Sequence, residues 1–287
     1  MTINKIDKTG FPREYGLYDP QNEHENCGFG FIANIKNEPK HEIVHQALKI
    51  VHSLDHRGAI GADPLAGDGA GILIQIPDLF FKEIFKSTKI NLPEIGSYGV
   101  GMVFLPHQKQ RAKFGIEAIE KAIENEGQDL IGWRDVPVDK SVLGETVKDN
   151  APIIKQFFIK KSKNAQTERE FQRKLYVIRK QSLFLLEEKL EDCEDFYIVS
   201  LSTRTIIFKG MVLAPNLSKF YIDFQNKNFK TAIALFHQRF STNTFPSWRL
   251  AQPFRYLCHN GEINTVKGNT NWLNSRRYSM YSDLLGD

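Results

Sequence analysis

The chain has 287 residues, of which 41% are hydrophobic and 25% are charged, values that are usual for a globular protein. The net charge of +4 comes from Lys and Arg spread along the chain, and the densest basic run, residues 160–163, is too short to indicate a nucleic-acid groove. No window approaches about 18 consecutive apolar residues, and residues 1–7 lack the apolar core of a secretory signal. The sequence therefore predicts neither a membrane span nor export.

The cysteines predict the compartment and exclude some metal sites. Cys27, Cys193 and Cys258 form no CxxC pair and cannot all pair with one another, which predicts a reducing, cytoplasmic environment. Their spacing also gives no zinc or iron–sulfur motif. We therefore expect no metal site within these residues.

The pattern changes abruptly at Cys27. Residues 1–26 are polar and rich in Gly and Pro, and they sustain neither a helical nor a strand period. The next residues read as a strand that places Phe29, Phe31 and Ala33 on one face. We expect a structural boundary at this cysteine.

The remaining elements alternate between groups of strands and single helices. In chain order the pattern predicts a helix at 43–54, strands at 69–76 and 98–105, a helix at 112–123, a strand at 153–159, a long helix at 167–189, and strands at 196–201, 205–209, 232–236 and 254–258. The long helix has its apolar stripe at Phe171, Leu175, Ile178 and Leu185. This order predicts an α+β fold in which helical layers cover antiparallel sheets.

Four short segments carry residues suited to chemistry: 26–30, 54–59, 236–243 and 258–264. Singly, each has an ordinary interpretation. A lone Cys27 fits a buried core thiol, and the pair Asn260-Gly261 fits a hairpin turn. A lone arginine is usually a solvated surface charge.

Together and in this order, the segments resemble the class II glutamine amidotransferases, a family of N-terminal-nucleophile enzymes. The amidotransferase part of glutamate synthases is the most similar. Further stretches carry the resemblance over essentially the whole chain: 63–71, 133–138, 237–248 and 269–273. The resemblance implies a four-layer αββα sandwich formed by residues 27–287, with residues 1–26 as a leader that is removed.

The resemblance also implies a role for each site residue. Cys27 corresponds to the nucleophile, and its own α-amino group, freed by removal of the leader, to the base. Asn260 and Gly261 match the oxyanion hole, through a side-chain amide and a backbone N–H respectively. Arg239 matches the residue that grips the α-carboxylate of glutamine, and Arg57 matches a second arginine near the nucleophile. Ser241, Thr242 and Asn243 are expected to add hydroxyl and amide contacts to the substrate.

The implied reaction is hydrolysis of L-glutamine to glutamate and ammonia through a thioester on Cys27. In a glutamate synthase, downstream synthase domains of the same chain combine the ammonia with 2-oxoglutarate. FMN and an iron–sulfur cluster serve that second half, and neither has a binding motif in these residues. The electron donor stays open between a small electron-supplying subunit and ferredoxin.

The family also anchors the α-amino group of glutamine with an aspartate in a segment after residues 269–273. Asp283 and Asp287 lack the flanking sequence of that segment, so the role is not assigned to them. We therefore expect the sandwich to be C-terminally incomplete in this sequence, and residues 27–287 alone to have little glutaminase activity.

Three alternatives differ in what would identify them. Another class II amidotransferase, making a purine precursor or glucosamine phosphate, is disfavoured by the long interval between Arg57 and Arg239. A non-catalytic amidotransferase-like module would have an altered nucleophile or oxyanion pair, and here both are present. A cysteine hydrolase would pair Cys27 with one of the histidines that flank the motifs, His56, His237 and His259.

Overall fold

The computed structural model describes residues 14–19, 28–58, 63–88, 90–239, 245–259 and 265–285, and the side chain of Arg57 is outside this description. Its strands are β1 Phe29–Ala33, β2 Ala70–Gln75, β3 Tyr98–Leu105, β4 Asp129–Asp135, β5 Ile153–Lys160, β6 Tyr197–Ser202, β7 Thr205–Gly210 and β8 Ile233–Gln238. Its α-helices are α1 His41–Ser53, α2 Asp78–Lys86, α3 Lys109–Asn125, α4 Glu145–Lys148, α5 Glu168–Glu187, α6 Leu217–Phe220 and α7 Val266–Ser275.

The strands form two antiparallel four-stranded sheets. The first has the order β1-β8-β2-β7, so β8 lies between β1 and β2. The second has the order β4-β5-β3-β6, and all eight residues of its central strand β3 are buried. Strands β6 and β7 are consecutive in the chain but belong to different sheets, so their connection joins the two sheets at one edge.

Helices cover both sheets, as the predicted sandwich requires. Helix α1 packs on β8 and β1, while α3 and α5 pack on each other and on the second sheet. The larger hydrophobic cluster contains buried residues of both sheets, α1 and α2, and the smaller one joins the second sheet to α3 and α5. The expected α+β fold with two antiparallel sheets and helical layers is confirmed. No helix in the described ranges is long and apolar enough to cross a membrane.

Local sequence signals account for the elements that were predicted well. The bounds of β3 are those expected, because the strand is one continuous apolar run. All of its residues are buried, and successive side chains face the apolar layers on opposite sides of the sheet. Helix α5 begins where Thr167 accepts a hydrogen bond from the Glu170 backbone and Glu170 bonds back to the Thr167 N–H. In β1 the predicted alternation holds, but Phe31 is 67% exposed, so its face is only partly covered.

The strand expected at 254–258 is wrong. These residues have no ladder partner and run as a loop, in which the Phe254 N–H donates to the Leu257 carbonyl at 2.9 Å. Strand β4, helix α2 and the one-turn helices α4 and α6 were not expected. Strand β4 shifts register between Leu130 and Gly132, which breaks its alternation. Helix α2 follows Pro77 directly and buries three phenylalanines.

A buried ion pair ties β4 to the chain that leads into β8. Arg134 on β4 donates two hydrogen bonds to Asp223, at 2.7 and 2.6 Å, and a third to Gln156 on β5 at 2.8 Å. The Asp223 side chain is only 3% exposed. Because two parallel N–H···O bonds fix both groups, the pair holds the segment after α6 against β4.

We expect Asp223→Asn to lower the free energy of unfolding by about 3–5 kcal/mol, because it leaves the Arg134 charge buried without its carboxylate. The control is Asp135→Asn, which breaks the more exposed pair between Asp135 on β4 and Lys155 on β5. That change should be worth less than about 1 kcal/mol. Urea unfolding of both variants checks the prediction, and equal losses would contradict it.

Candidate active site

The residue that follows Cys27 is joined to the end of β8. The Gln238 N–H donates to the Gly28 carbonyl at 2.6 Å, and the next N–H, that of Arg239, donates to the Gly69 carbonyl at 2.8 Å. The starts of β1 and β2 therefore meet the end of β8 at one end of the first sheet. Two of the four sequence segments, 26–30 and 236–243, are brought together here.

Arg239 is a largely buried cation at this end of the sheet, only 8% exposed. Burial lowers the pKa of its guanidinium, and the negative charge of the buried Asp68 opposes that change. A guanidinium remains protonated even with a lowered pKa, because its ordinary pKa lies far above neutral pH. Arg239 thus offers a partly desolvated positive charge with a planar fork of donors, which suits a carboxylate.

The segment with Arg57 reaches the same place. Helix α1 passes into a 3-10 turn, Asp55–Arg57, which ends at Gly58 with a bond from the Gly58 N–H to the Asp55 carbonyl at 2.9 Å. The Gln238 side-chain amide lies so close to Gly58 that a Cβ on this residue would overlap it. The backbone of Arg57 is therefore one residue from a contact with the end of β8.

The fourth segment is held against β8 by His237. Its Nε2 donates to the His259 carbonyl at 3.0 Å, and the Cys258 Sγ lies 3.7 Å from the Phe236 carbonyl. The imidazole of His237 also stacks on Phe29 of β1, with 6.3 Å between ring centroids. His259 is the residue directly before Asn260, so the backbone leading into the predicted oxyanion pair lies beside β8, the strand that Arg239 directly follows.

These contacts bear on the other histidines and cysteines. His237 Nε2 is engaged with a backbone carbonyl, and His56 Nδ1 lies 3.0 Å from the Ser53 carbonyl on an exposed turn. Both arrangements are typical of structural histidines. Cys193 and Cys258 form no disulfide. Burial raises the pKa of the Cys193 thiol, which disfavours the reactive thiolate.

Several predicted site residues lie outside the described residues: Cys27, Ser241, Thr242, Asn243, Asn260 and Gly261. Their assigned roles stay predictions, as does that of the Arg57 side chain. Their described neighbours, Gly28, Arg239 and His259, meet around the end of β8.

Some residues at this site were not found from the sequence as functional candidates: Asp68, Gly69, Lys209, Gln238 and Gln252. Lys209 did carry a signal, because a lysine inside the apolar run of β7 is unusual for a strand with buried faces. Gly69 also carried one, since it lies in the glycine-rich stretch 67–71. In the structure it adopts a φ of +125°. The two glutamines gave none, because a side-chain amide is ordinary in any loop or strand end.

The sequence profile of glutamine amidotransferases class II matches residues 27–287. The chain belongs to this family. The profile match begins at the predicted nucleophile, and in the part of this amidotransferase that the structure describes no His, Cys, Asp and Glu side chains group as a metal site would.

Curated relatives of this amidotransferase are glutamate synthases. It is 46% identical to the glutamate synthase [NADPH] large chain of Bacillus subtilis (strain 168) over 100% of its own length, and 42% identical to that of Azospirillum brasilense over 94%. It is also 42% identical to ferredoxin-dependent glutamate synthase 2 of Synechocystis over 90%. These relatives are far longer, since the chain corresponds to only 18%, 18% and 16% of them.

We expect Gly69→Ala to lower the free energy of unfolding by more than about 1 kcal/mol, because its positive φ strains any other residue. A Cβ there would also lie 2.8 Å from the Ala251 side chain and 3.1 Å from the Gly210 carbonyl. In the control, Gly132→Ala, the added Cβ meets only the Ile90 side chain at 3.5 Å, so stability should stay within about 0.5 kcal/mol. Thermal unfolding compares the two variants. Unchanged stability in Gly69→Ala would contradict the close approach of Ala251 and the Gly210 carbonyl to Gly69.

Proposed function

We propose that this chain is the glutaminase part of a glutamate synthase: it hydrolyses L-glutamine to glutamate and ammonia through a thioester on Cys27. The observation that carries the proposal is the meeting of the four sequence segments, through their described residues, at the end of β8. Amide hydrolysis needs a nucleophile, a base, an oxyanion site and a substrate grip within a few ångströms of one another. The family membership and the 40–46% identity to glutamate synthases support the same reaction.

The proposed nucleophile requires removal of residues 1–26. Cleavage between Asn26 and Cys27 converts an amide nitrogen, which cannot accept a proton, into a free α-amine. An α-amine titrates near ~7.7–8.0 and a thiol near ~8.5, so a proton passes readily from one to the other at neutral pH. The leader would therefore also keep the enzyme inactive until it is removed. The start of the family match at Cys27 supports this maturation.

The remaining roles divide between the substrate and the transition state. Arg239 would bind the α-carboxylate of glutamine, with Arg57, Ser241, Thr242 and Asn243 completing the pocket. Asn260 and Gly261 would donate to the oxyanion of the tetrahedral intermediate, where one lost donor typically costs about 2.7–4 kcal/mol. The buried, cationic state of Arg239 supports its part, because desolvation strengthens an ion pair with substrate.

The ammonia would be used by parts of the full-length protein outside this sequence. We propose that downstream synthase domains of the same chain take it up and combine it with 2-oxoglutarate, with FMN and an iron–sulfur cluster bound there. The names of the relatives specify NADPH, NADH or ferredoxin, so a reductase subunit and ferredoxin are both candidate electron sources. We also propose a cytoplasmic location, on the cysteine usage.

The proposed nucleophile predicts selective labelling. In the enzyme as the organism makes it, a diazo ketone analogue of glutamine should label Cys27 alone, on a chain that begins at this residue. Cys27→Ala should abolish glutaminase activity and leave ammonia-dependent glutamate synthesis intact. Peptide mapping by mass spectrometry checks both the N-terminus and the label. A label on Cys193 or Cys258, or full activity with the leader attached, would overturn the assignment.

The two kinds of contact predict opposite kinetic signatures. Arg239→Lys should raise the KM for glutamine, because a point charge cannot reproduce the bidentate grip of a guanidinium. Asn260→Ala should instead lower kcat by roughly 10²–10³, because its amide is needed only when the oxyanion forms. Steady-state assays at varied glutamine separate the two, and interchanged signatures would show that the roles are wrongly assigned.

A further inference from the structure

The side chain of Gln252 binds both backbone groups of His259. Its Nε2 donates to the His259 carbonyl at 3.1 Å, and its Oε1 accepts from the His259 N–H at 3.2 Å. A side-chain amide used in this way replaces the pair of hydrogen bonds that a neighbouring strand would make. The His259 carbonyl accepts a second bond, from His237 Nε2 at 3.0 Å.

These bonds orient the peptide group that begins the oxyanion segment. The His259 carbonyl and the Asn260 N–H belong to one planar peptide unit, so fixing the carbonyl fixes the plane into which Asn260 is built. Oxyanion donors act only within about 2.7–3.1 Å of the oxygen they stabilise. A rotation of this plane would move the Asn260 side chain and the Gly261 N–H together.

Gln252 is itself held in place by contacts of its own segment with strands β2 and β7. Its own carbonyl lies against Gly71 of β2, in space that a Cβ there would occupy, and the Ala251 side chain lies against Gly69. The Nζ of Lys209 donates to the carbonyls of Ala251 at 2.5 Å and Arg249 at 2.9 Å. Two carbonyls just before Gln252 are thus fixed to strand β7 by one amine.

The burial of Lys209 indicates that its bonds to the two carbonyls offset the cost of burying the amine. The residue is fully buried, and the charges that act on its amine are those of Arg255 and Arg239, with no carboxylate of the described residues among them. The rings of Phe254 and Tyr197 lie 4.4 and 5.0 Å from its Nζ. Burial, reinforced by the charges of Arg255 and Arg239, lowers the pKa of this amine well below its ordinary value. A methionine would fill the same space without that desolvation cost.

We propose that Gln252 is a positioning residue for the oxyanion donors Asn260 and Gly261, and that Lys209 fixes the segment from which Gln252 acts. The inference rests on the proposed function, which assigns the donor roles. Neither residue is among those assigned to bind the substrate or the oxyanion. Both act through the backbone of His259, so their loss should affect the transition state far more than substrate binding.

The decisive variant is Gln252→Glu, assayed in the enzyme as the organism makes it. A carboxylate has the same size and still accepts from the His259 N–H, but it cannot donate to the His259 carbonyl. We expect kcat for glutamine hydrolysis to fall on the order of 10²-fold, as a misplacement of about 1 Å produces, with KM within about twofold. The control is Gln225→Glu, which removes an equivalent amide donor to the Ser218 carbonyl on the exposed surface and should leave both constants unchanged.

Two further variants guard against a folding defect. Gln252→Met removes the bonds to the His259 backbone, and Lys209→Met removes the bonds to the Arg249 and Ala251 carbonyls; neither adds a charge. Both should lower kcat at near-constant KM, with the protein still folded by circular dichroism. In the Asn260→Ala background, Gln252→Glu should cost much less than it does alone, because the two residues act as a unit. Independent effects that multiply in the double variant would overturn the proposal.

The possible outcomes distinguish a failure of the positioning role from a failure of the proposed function on which it rests. If Asn260→Ala keeps wild-type kcat, the assignment of the oxyanion donor fails. If Asn260→Ala loses kcat while Gln252→Glu and Gln252→Met retain it, the proposed function stands and the positioning role is refuted. A wild-type kcat in Lys209→Met alone refutes the part assigned to Lys209.

Discussion

The site depends on the position of β8 between two strands that begin where it ends. Two consecutive N–H groups, those of Gln238 and Arg239, bind one carbonyl on each side, from Gly28 and from Gly69. Because consecutive N–H groups of a strand point in opposite directions, a single strand end joins the backbone after Cys27 to the backbone after Asp68. The backbone of Arg239, the proposed substrate-binding residue, and the chain beside the proposed nucleophile are thus part of one hydrogen-bond ladder, whose geometry the sheet fixes.

Small residues and buried polar groups let a loop reach this ladder. Gly69 and Gly71 leave room for Ala251 and for the Gln252 carbonyl over the first sheet, so the loop approaches the strands at backbone distance. Its own polar groups then need partners, because buried carbonyls and N–H groups are costly when left without them. Lys209, His237 and the Gln252 side chain supply those partners where a strand would have supplied a ladder.

The sequence predicted most of the fold because its signals there are local. The continuous apolar run of β3 and the Thr167 capping box depend only on neighbouring residues. The strand expected at 254–258 failed for a different reason: a bond from the Phe254 N–H to the Leu257 carbonyl closes a turn there, and the Arg255 side chain binds the distant Ile198 carbonyl. The apolar pattern of the segment reveals neither contact. At the site, Arg239 lies buried at the end of β8, but the role that the resemblance implies for it stays a prediction, as do the roles of Cys27 and Asn260. Gln252 could not have been found, because nothing in a glutamine within a loop reveals which backbone it binds.

The buried amine of Lys209 also couples the fold to proton uptake. An uncharged amine keeps two N–H donors, which equals the number of carbonyls that it binds. With its pKa lowered in the folded state, there is a pH interval in which the unfolded chain holds a proton here and the folded chain does not. Unfolding then takes up that proton, so this residue makes the free energy of unfolding rise with pH across the interval, up to the ordinary lysine pKa. The contribution is opposite in sign to that of a lysine in a native ion pair, whose pKa is raised by folding.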